Sequence, residues 1–496
     1  MTSILPNASG KPPIYGKLMW IIFFAFAVRV AVRWLTSESS FWENGYTFFF
    51  ALAQNIAGGN GFAFEGGPAT AFRVPLYPMF LAAVTFGHQA FLPVLLAQSL
   101  IGAGTVLCGA LIAQELFGSS AAIIAAILAA IYPYYVVHDT ALQETSLYTF
   151  LMALAVFLLL RVRRSGSFLT AMGAGLTLAA AVLTRANLAP FALLALLWLT
   201  LAGGSNAVHL RRRLWVAVVC AGMGMLTVSP WLIRAYQLTG SVTLSTQSGF
   251  FLWLGNNPYT FSRYPQESID RSQAIALAAL SSHENKELEA RQHNEALVDD
   301  WFRKKGLKYI RDHPWQTLGN SFRKIVDAFG WLPSPRRSFW PSLAHGLSYG
   351  PIMILGLWGM WASRRHWREH SIFYAQFVAF AAVTAAFFGH TSYRTYLDVY
   401  WIVFAAGLLV AWLSRSPYGK LLYRLGSALL LDHRLTHRVD GTREDSIERL
   451  PASATPPLIL CQPAFSGSKE SSLSPYRPAP CLTACRQHQS GSRRIG

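Results

Sequence analysis

Long apolar runs broken by short polar stretches set the pattern of this chain. A helix of about 20 mostly apolar residues crosses a bilayer, and ten such runs lie near 18–35, 90–112, 121–137, 143–160, 168–184, 187–203, 214–233, 343–362, 371–389 and 395–413. The fold expected is an all-α polytopic membrane protein with helical loops outside the bilayer. Residues 36–89 read as an amphipathic helix over 42–57, a turn at "GGNG", and then "FRVPLYP", where Pro75 and Pro78 are expected to stop any helix. In the long segment 234–342, Leu288, Ala296, Leu297, Trp301, Leu307 and Ile310 keep a helical spacing. That segment reads as a soluble helical cap. From Asp432 onward the chain is rich in Ser, Pro and Arg and lacks sustained periodicity, so a disordered tail is expected. The domain division expected is an N-terminus over 1–17, a membrane domain over 18–413 and a tail over 414–496.

Composition agrees with the pattern. Charged residues make up 13% of the 496 and hydrophobic ones 53%, whereas soluble domains carry roughly 25% charged residues. The net charge of +18 does not lie along one soluble face, which argues against a nucleic-acid partner. It is gathered in Arg161, Arg163 and Arg164, in Arg211, Arg212 and Arg213, in Arg364, Arg365 and Arg368, and in Arg415, Lys420 and Arg424. With ten spans and a cytoplasmic N-terminus, all four clusters fall on the cytoplasmic side of an inner (plasma) membrane, as basic loops do. Both termini are then cytoplasmic, and 36–89 and 234–342 are outer loops long enough to carry function. The five cysteines match no disulfide framework and no zinc spacing. No internal repeat of the kind that builds many transporters is visible.

The remaining ionisable residues cluster on the outer side. Glu43, Arg73, His138, Asp139, Glu144, Arg185, Arg234 and Arg394 all map to outer loops or outer span ends. Sugar transfer from a polyprenyl phosphate needs one base for the acceptor hydroxyl and cations to hold the phosphate as charge develops. Glu43, beside Trp42 and Tyr46, is the best candidate base, although an acid at a helix start is also favoured by the helix dipole. Asp139 is expected in a turn. Glu144 begins the next span, where it serves either near the reaction centre or as a helix cap. Arg185, Arg234 and Arg394 suit a lipid phosphate, and equally suit snorkelling to headgroups. Arg29 and Arg33, one turn apart in the first span, are candidates to pair with a neighbouring acid or a lipid phosphate, and suit snorkelling at least as well. "GNNP", with Asn256, lacks the spacing of a nucleotide loop, and no histidine pair has metal-ligand spacing.

Several stretches together resemble the bacterial GT-C glycosyltransferases, the family of protein O-mannosyltransferases, lipid A aminoarabinose transferases and Rgt-type lipopolysaccharide transferases. They are "ENGYTFFFALAQNIAGGNGF" running into "FRVPLYPMFLAA", then "AIYPYYVVHDTALQETSLYTFLMAL", then "GLTLAAAVLTRANLAPF". The most specific is "SPWLIRAYQLTGSVTLSTQSGFFLWLGNNP", similar to the family's Pro-Trp-x-x-Arg-x-Tyr stretch leading to Gly-Asn-x-Pro. The resemblance covers roughly 18–412. It implies a transferase using a polyprenyl-phosphate sugar as substrate, without a further cofactor, and a glycan, lipid or protein acceptor at the outer face. Taken with the charge pattern, the reading has Glu43 as base and Tyr46, Arg73, Asp139, Glu144, Arg185, Arg234, Asn256 and Arg394 as substrate-binding residues. The family's first-loop aspartate is missing, since no Asp precedes Asp139. A transporter or lipid flippase, and a non-catalytic subunit of the same fold, are the rival readings.

Overall fold

The computed structural model describes residues 14–35, 37–43, 46–201 and 209–415, without the side chains of residues 14, 40 and 43. The expected tail from Asp432 lies outside the described residues, as do Cys461, Cys481 and Cys485. Residues 411–478 form a separate unit, of which only 411–415 are described.

The described residues are helical apart from turns and one isolated bridge, between Ala63 and Ala69. The order is α1 (Ile14–Trp34), α2 (Glu38–Glu43), α3 (Thr47–Ala57), α4 (Leu76–Thr85), α5 (Phe91–Phe117), α6 (Ser119–Ile131), α7 (Pro133–Asp139), α8 (Thr145–Ser165), α9 (Phe168–Thr184) and α10 (Ala189–Leu201). Then come α11 (Leu210–Thr239), α12 (Ser248–Gly255), α13 (Ile269–Ala278), α14 (Ser282–Glu289), α15 (Glu295–Asp312), α16 (Pro314–Ala328), α17 (Phe339–Ala362), α18 (Trp367–Ala386) and α19 (Thr395–Arg415).

Every apolar run marked in the sequence has a helix at its place. By length and apolarity α1, α5, α8, α11 and α19 can each cross a bilayer, and the bent pair α6–α7 makes a sixth. The kink of 57° between α6 and α7 falls at Pro133, where a helix cannot continue its hydrogen-bond ladder. Helices α9 and α10 are shorter apolar helices, so the count of ten spans rests on the sequence pattern and the basic clusters.

Small residues let these helices approach closely without a large apolar driving force between them. The Ala121, Ala122, Ala125, Ala126, Ala129 and Ala130 face of α6 is wholly buried. A side chain at Gly175 would run into the carbonyl of Cys220, so α9 and α11 cross backbone to backbone. Gly356 and Gly359 play the same part where α17 meets Trp401 and Phe404 of α19. Elsewhere the surface is apolar: Trp20 and Phe23 of α1 and Met225 and Leu226 of α11 are exposed. That is the surface of a protein solvated by lipid.

The two ends of the bundle differ in chemistry. At one end Arg161 and Arg164 pair with Glu115 of α5, Arg212 donates to the carbonyl of Gly166 (3.0 Å), and Arg213 to that of Thr200. The first two basic clusters therefore share one end. Glu144, at the start of α8, lies at the opposite end of that 21-residue helix, about 30 Å away at 1.5 Å per residue.

The loops correct three expectations. The helix expected over 42–57 does not run unbroken: α2 ends at Glu43 and α3 starts at Thr47, with Tyr46 non-helical as its N-cap. Pro75 and Pro78 open α4 rather than stopping it: Pro75 is its N-cap and Pro78 lies in its first turn, where no backbone donor is missed. Asp139 is the last residue of α7 and not in a turn. The segment 283–314 is also broken, into α14 and α15, but it packs a small core of its own. Trp253, Ala276, Leu288, Trp301 and Phe302 are buried together, while Leu297 and Leu307 face outward. Asp299 of α15 accepts from the backbone of Gly249 (2.7 Å) and Phe250 (3.0 Å), satisfying the free donors at the start of α12. Glu295 ties the two long loops together, accepting from Thr70 Oγ1, from the backbone of Ala71 (3.0 Å) and from Thr246 Oγ1 (2.8 Å).

Candidate active site

Four of the residues singled out in the sequence converge: Tyr46, Arg73, Glu144 and Arg185. The turn before α8 is held from both sides. Gln98 of α5 donates to the carbonyls of Asp139 (3.1 Å) and Ala141 (2.8 Å) and accepts from Tyr77 of α4 (2.8 Å). The backbone N–H of Tyr46 donates to the carbonyl of Leu142 (2.9 Å). The first loop is thereby docked on the turn that carries Glu144.

Glu144 is the N-cap residue of α8, yet its side chain caps nothing. One carboxylate oxygen lies 3.9 Å from Arg185 Nη1, too far for a good hydrogen bond. The other is buried without any partner. Arg185 ends α9 in an extended conformation. Its guanidinium lies over the ring of Tyr393 (4.0 Å) and beside Tyr148 (4.9 Å). Burial works against the Arg185 charge, but Tyr148, Glu144, Tyr393 and Tyr46 around it outweigh burial and hold its pKa above the ordinary value. Arg73 stands among three rings, Phe48 (5.3 Å), Phe72 (5.6 Å) and Phe251 (5.3 Å), and its Nε is buried without a partner. Burial pulls the Arg73 pKa below the ordinary value, opposed first by Glu144 and then by Tyr393. Among the described residues neither guanidinium makes a hydrogen bond. Two guanidiniums and one carboxylate thus face each other with donors and an acceptor left over, inside an aromatic wall. Buried polar groups are ordinarily satisfied, so the unfilled valences of this cluster set it apart from the other buried charges described below.

Histidine and tyrosine side chains extend it. His390 is held down to about 3 by burial and by His138, Arg185, Arg337 and Arg394. It is therefore neutral, and its Nδ1 accepts from the backbone of Ser392 (3.0 Å). His138 meets Gln143 at 2.5 Å and leaves its Nε2 without a partner. Tyr148 donates to the carbonyl of Ser392 (3.0 Å), fixing the turn that presents Tyr393.

The other candidates are bonded within the protein. Asp139 is paired with Arg29 of α1 at 2.6 Å, both buried; a Cβ at Gly102 would occupy their space. Of the readings open for Arg29 the structure thus shows pairing with an acid; Arg33 lies over Phe41 and Phe91 and donates to the carbonyl of Ser37 (2.6 Å). Arg394 pairs with Asp398 (2.8 Å), donates to the carbonyl of Ala328 (3.0 Å) and lies over Tyr349 at 3.3 Å. Arg234 donates to the carbonyls of Thr70 (2.8 Å) and Phe62 (3.0 Å), stapling the first loop to α11. Asn256 donates to the carbonyls of Leu252 (2.8 Å) and Ala386 (2.7 Å) and accepts from Lys324 (3.2 Å). Glu43 closes α2, but its side chain lies outside the described residues. Among the described residues no group of three or more His, Cys, Asp or Glu is arranged to hold a metal ion.

Tyr393, Tyr148, His390 and Gln98 were missed in the sequence. Only the segment "GHTSYRTYLD", polar at a span end, hinted at two of them. Asp398 was missed although it stands four residues after Arg394, a helical turn that a scan for paired charges finds.

Residues 73–233 match the family described as dolichyl-phosphate-mannose-protein mannosyltransferase. Among solved structures the chain is similar to the apo oligosaccharyltransferase of Archaeoglobus fulgidus, with TM-score 0.51 and 16% identity over 83% of this chain and 52% of that one. It is similar to the same enzyme tethered to an acceptor peptide containing the NVT sequon, with TM-score 0.50 and 16% identity over 80% of this chain and 49% of that one. The chain thus spans about half the length of that oligosaccharyltransferase, and at such identity the likeness is one of fold. No curated protein matches the sequence. The match over 73–233 is thus to a mannosyltransferase family, and the described residues resemble the archaeal oligosaccharyltransferase in fold.

Proposed function

We propose that this protein transfers a sugar from a polyprenyl-phosphate donor to a hydroxyl acceptor at the outer face of the inner membrane. The observation that carries the reading is the pair Arg73 and Arg185, free of hydrogen bonds among the described residues and facing the Glu144 carboxylate across an aromatic-walled site. A departing lipid phosphate is already a stable anion, so it needs cationic donors and no acid. Arginine's planar fork suits it, and two forks within one site divide its charge. The family match supports a lipid-phosphate donor, and the end of the bundle opposite the Glu115 pairs supports the outer face. We assign Tyr46 and Tyr393 to the wall against which the donor sugar or lipid head packs. Asp139, Arg234, Asn256 and Arg394 act at one remove, by holding the segments that form the site.

The acceptor hydroxyl needs a base. We assign this to Glu43, on the segment docked at the Glu144 turn by the Tyr46–Leu142 bond; Glu144 then orients Arg185. The unbonded oxygen of Glu144 favours a second assignment, in which Glu144 is itself the base. The test is transfer by proteoliposomes supplied with a labelled polyprenyl-phosphate sugar, comparing wild type, Glu43→Gln, Glu144→Gln and Arg185→Gln. Loss of transfer in Glu43→Gln and Arg185→Gln, with Glu144→Gln only weakened, supports the first assignment, and loss in Glu144→Gln and Arg185→Gln with Glu43→Gln active supports the second. Absence of transfer from any lipid-phosphate sugar by wild type, with sugar or lipid translocation instead, sinks the transferase reading in favour of a transporter or flippase.

A further inference from the structure

Helix α16 carries two incompatible faces. Trp315, Leu318, Phe322 and Val326 are 82%, 63%, 70% and 51% exposed. At 100° per residue they fall within an arc of about 80°. Lys324 lies on the opposite side of the helix, fully buried, with Nζ donating to Asn256 Oδ1 (3.2 Å) and to the carbonyl of Ala385 (3.0 Å). Asp327 and Ala328 are buried beside it. The polar side of this amphipathic helix is thus turned into the protein and the apolar side away from it, the reverse of a helix on a soluble domain.

Where α16 sits explains the inversion. Ser321 Oγ and Lys324 Nζ both donate to Ala385 in the last turn of α18, and Arg394 at the head of α19 donates to Ala328. The helix therefore lies across the ends of two apolar helices, one of them a candidate span. That is the level at which hydrocarbon gives way to water. The apolar surface continues beyond it through Trp331 and Leu332 to Phe339 and Trp340 at the start of α17, all exposed. Tryptophan and phenylalanine at such a boundary suit the lipid interface. Arg323, exposed on the flank of the stripe and lying over Phe261 at 4.0 Å, is placed to meet headgroups.

We infer that the Trp315–Leu318–Phe322–Val326 face of α16 is a lipid-contacting surface, by which the large loop is seated in the bilayer interface. The seat is mechanically tied to the site's surroundings, because Lys324 and Asn256 join α16 to the end of α12 and the Ala385–Ala386 carbonyls. This inference does not depend on which carboxylate is the base.

The full chain, with Cys461, Cys481 and Cys485 replaced by Ser, is reconstituted into phosphatidylcholine–phosphatidylglycerol vesicles. A spin label is attached in turn at Leu318→Cys, Phe322→Cys, Val326→Cys and, as control, Gln316→Cys. Collision with oxygen, which partitions into lipid, is compared with collision with a water-soluble nickel chelate. The expected result is an oxygen-to-nickel ratio several-fold higher at 318, 322 and 326 than at 316. Nickel access at the three apolar positions equal to that at 316 overturns the inference, because the face is then in water. Shielding of all three from both reagents overturns it too, because a second copy or another part of the chain then covers the face. Three positions are labelled so that failure of one variant to fold leaves the outcome readable.

Discussion

Replacing Asp139 with Ala separates a structural pair from a substrate-binding residue. In the wild type Arg29 Nε and Asp139 Oδ2 meet at 2.6 Å, with Arg29 wholly buried and Asp139 4% exposed. Removing one member of a buried pair leaves an uncompensated charge and costs about 3–5 kcal/mol. Here Arg29 keeps two carbonyl acceptors, Ala25 (2.8 Å) and Ala130 (3.4 Å), which soften the loss. We therefore expect about 3 kcal/mol for Asp139→Ala, roughly a hundredfold in the folding equilibrium at about 1.4 kcal/mol per decade. Asp139→Asn, which retains an acceptor, should cost less. The double variant Arg29→Met, Asp139→Leu removes both charges, and should recover most of the stability lost by Asp139→Ala. The assay is a denaturing-detergent titration followed by tryptophan fluorescence, run also for Arg29→Met and Asp139→Leu singly beside the double so that the coupling is measured directly. Transfer is measured separately, per folded molecule. Asp139→Ala as stable as wild type would refute the reasoning, as would a double variant no better than the single. Full stability with abolished transfer would return Asp139 to the binding site.

Lys324 gives a pH signature. Burial lowers its pKa from the ordinary lysine range to about 7, so between about 7 and that range the unfolded chain binds the proton that the folded chain does not. Stability should rise with pH across that window, by at most about 1.4 kcal/mol per pH unit, and Lys324→Met should abolish the slope; urea or detergent midpoints against pH decide it. Gly359→Val places a side chain against the Phe404 carbonyl of α19 and should destabilise by about 1–3 kcal/mol, read as a lowered midpoint in the same titration. Arg73→Gln should reduce transfer while shifting stability by less than about 1 kcal/mol, because only ring contacts are lost. Arg234→Ala should instead free the loop around Phe62 and Thr70, seen as new protease cleavage there at an unchanged pattern elsewhere.

The helices were legible because an apolar run is a local property. Each marked run has its helix, and the first two basic clusters share one end. The misread points were local as well. Pro78 was taken as a stop although proline is tolerated in a first helical turn, and α2 and α3 were joined because their aromatic pattern runs through the break. The site was legible in part. Glu144 and Arg185 stand out as charges at span ends, and Arg73 as a cation inside an aromatic loop. The tyrosines that wall the site do not, since nothing distinguishes Tyr393 from any interfacial tyrosine until the fold puts Arg185 beneath it.

Apolar run length and the segregation of basic residues determined that this is an all-α membrane protein, and the order of the resembling stretches pointed to glycosyltransferases, as does the family match over 73–233. These features follow from the cost of burying backbone and charge in hydrocarbon, which each segment meets by itself. Which charges are paired was decided only by tertiary structure. Asp139 and Arg29 are 110 positions apart, and their contact exists because α1, α5 and α7 pack in one register around Gly102. That register consumes the valences of Asp139, Arg234, Asn256 and Arg394 and leaves those of Arg73, Glu144 and Arg185 unfilled. It also turns the polar side of α16 inward, where a sequence pattern read alone places it in water.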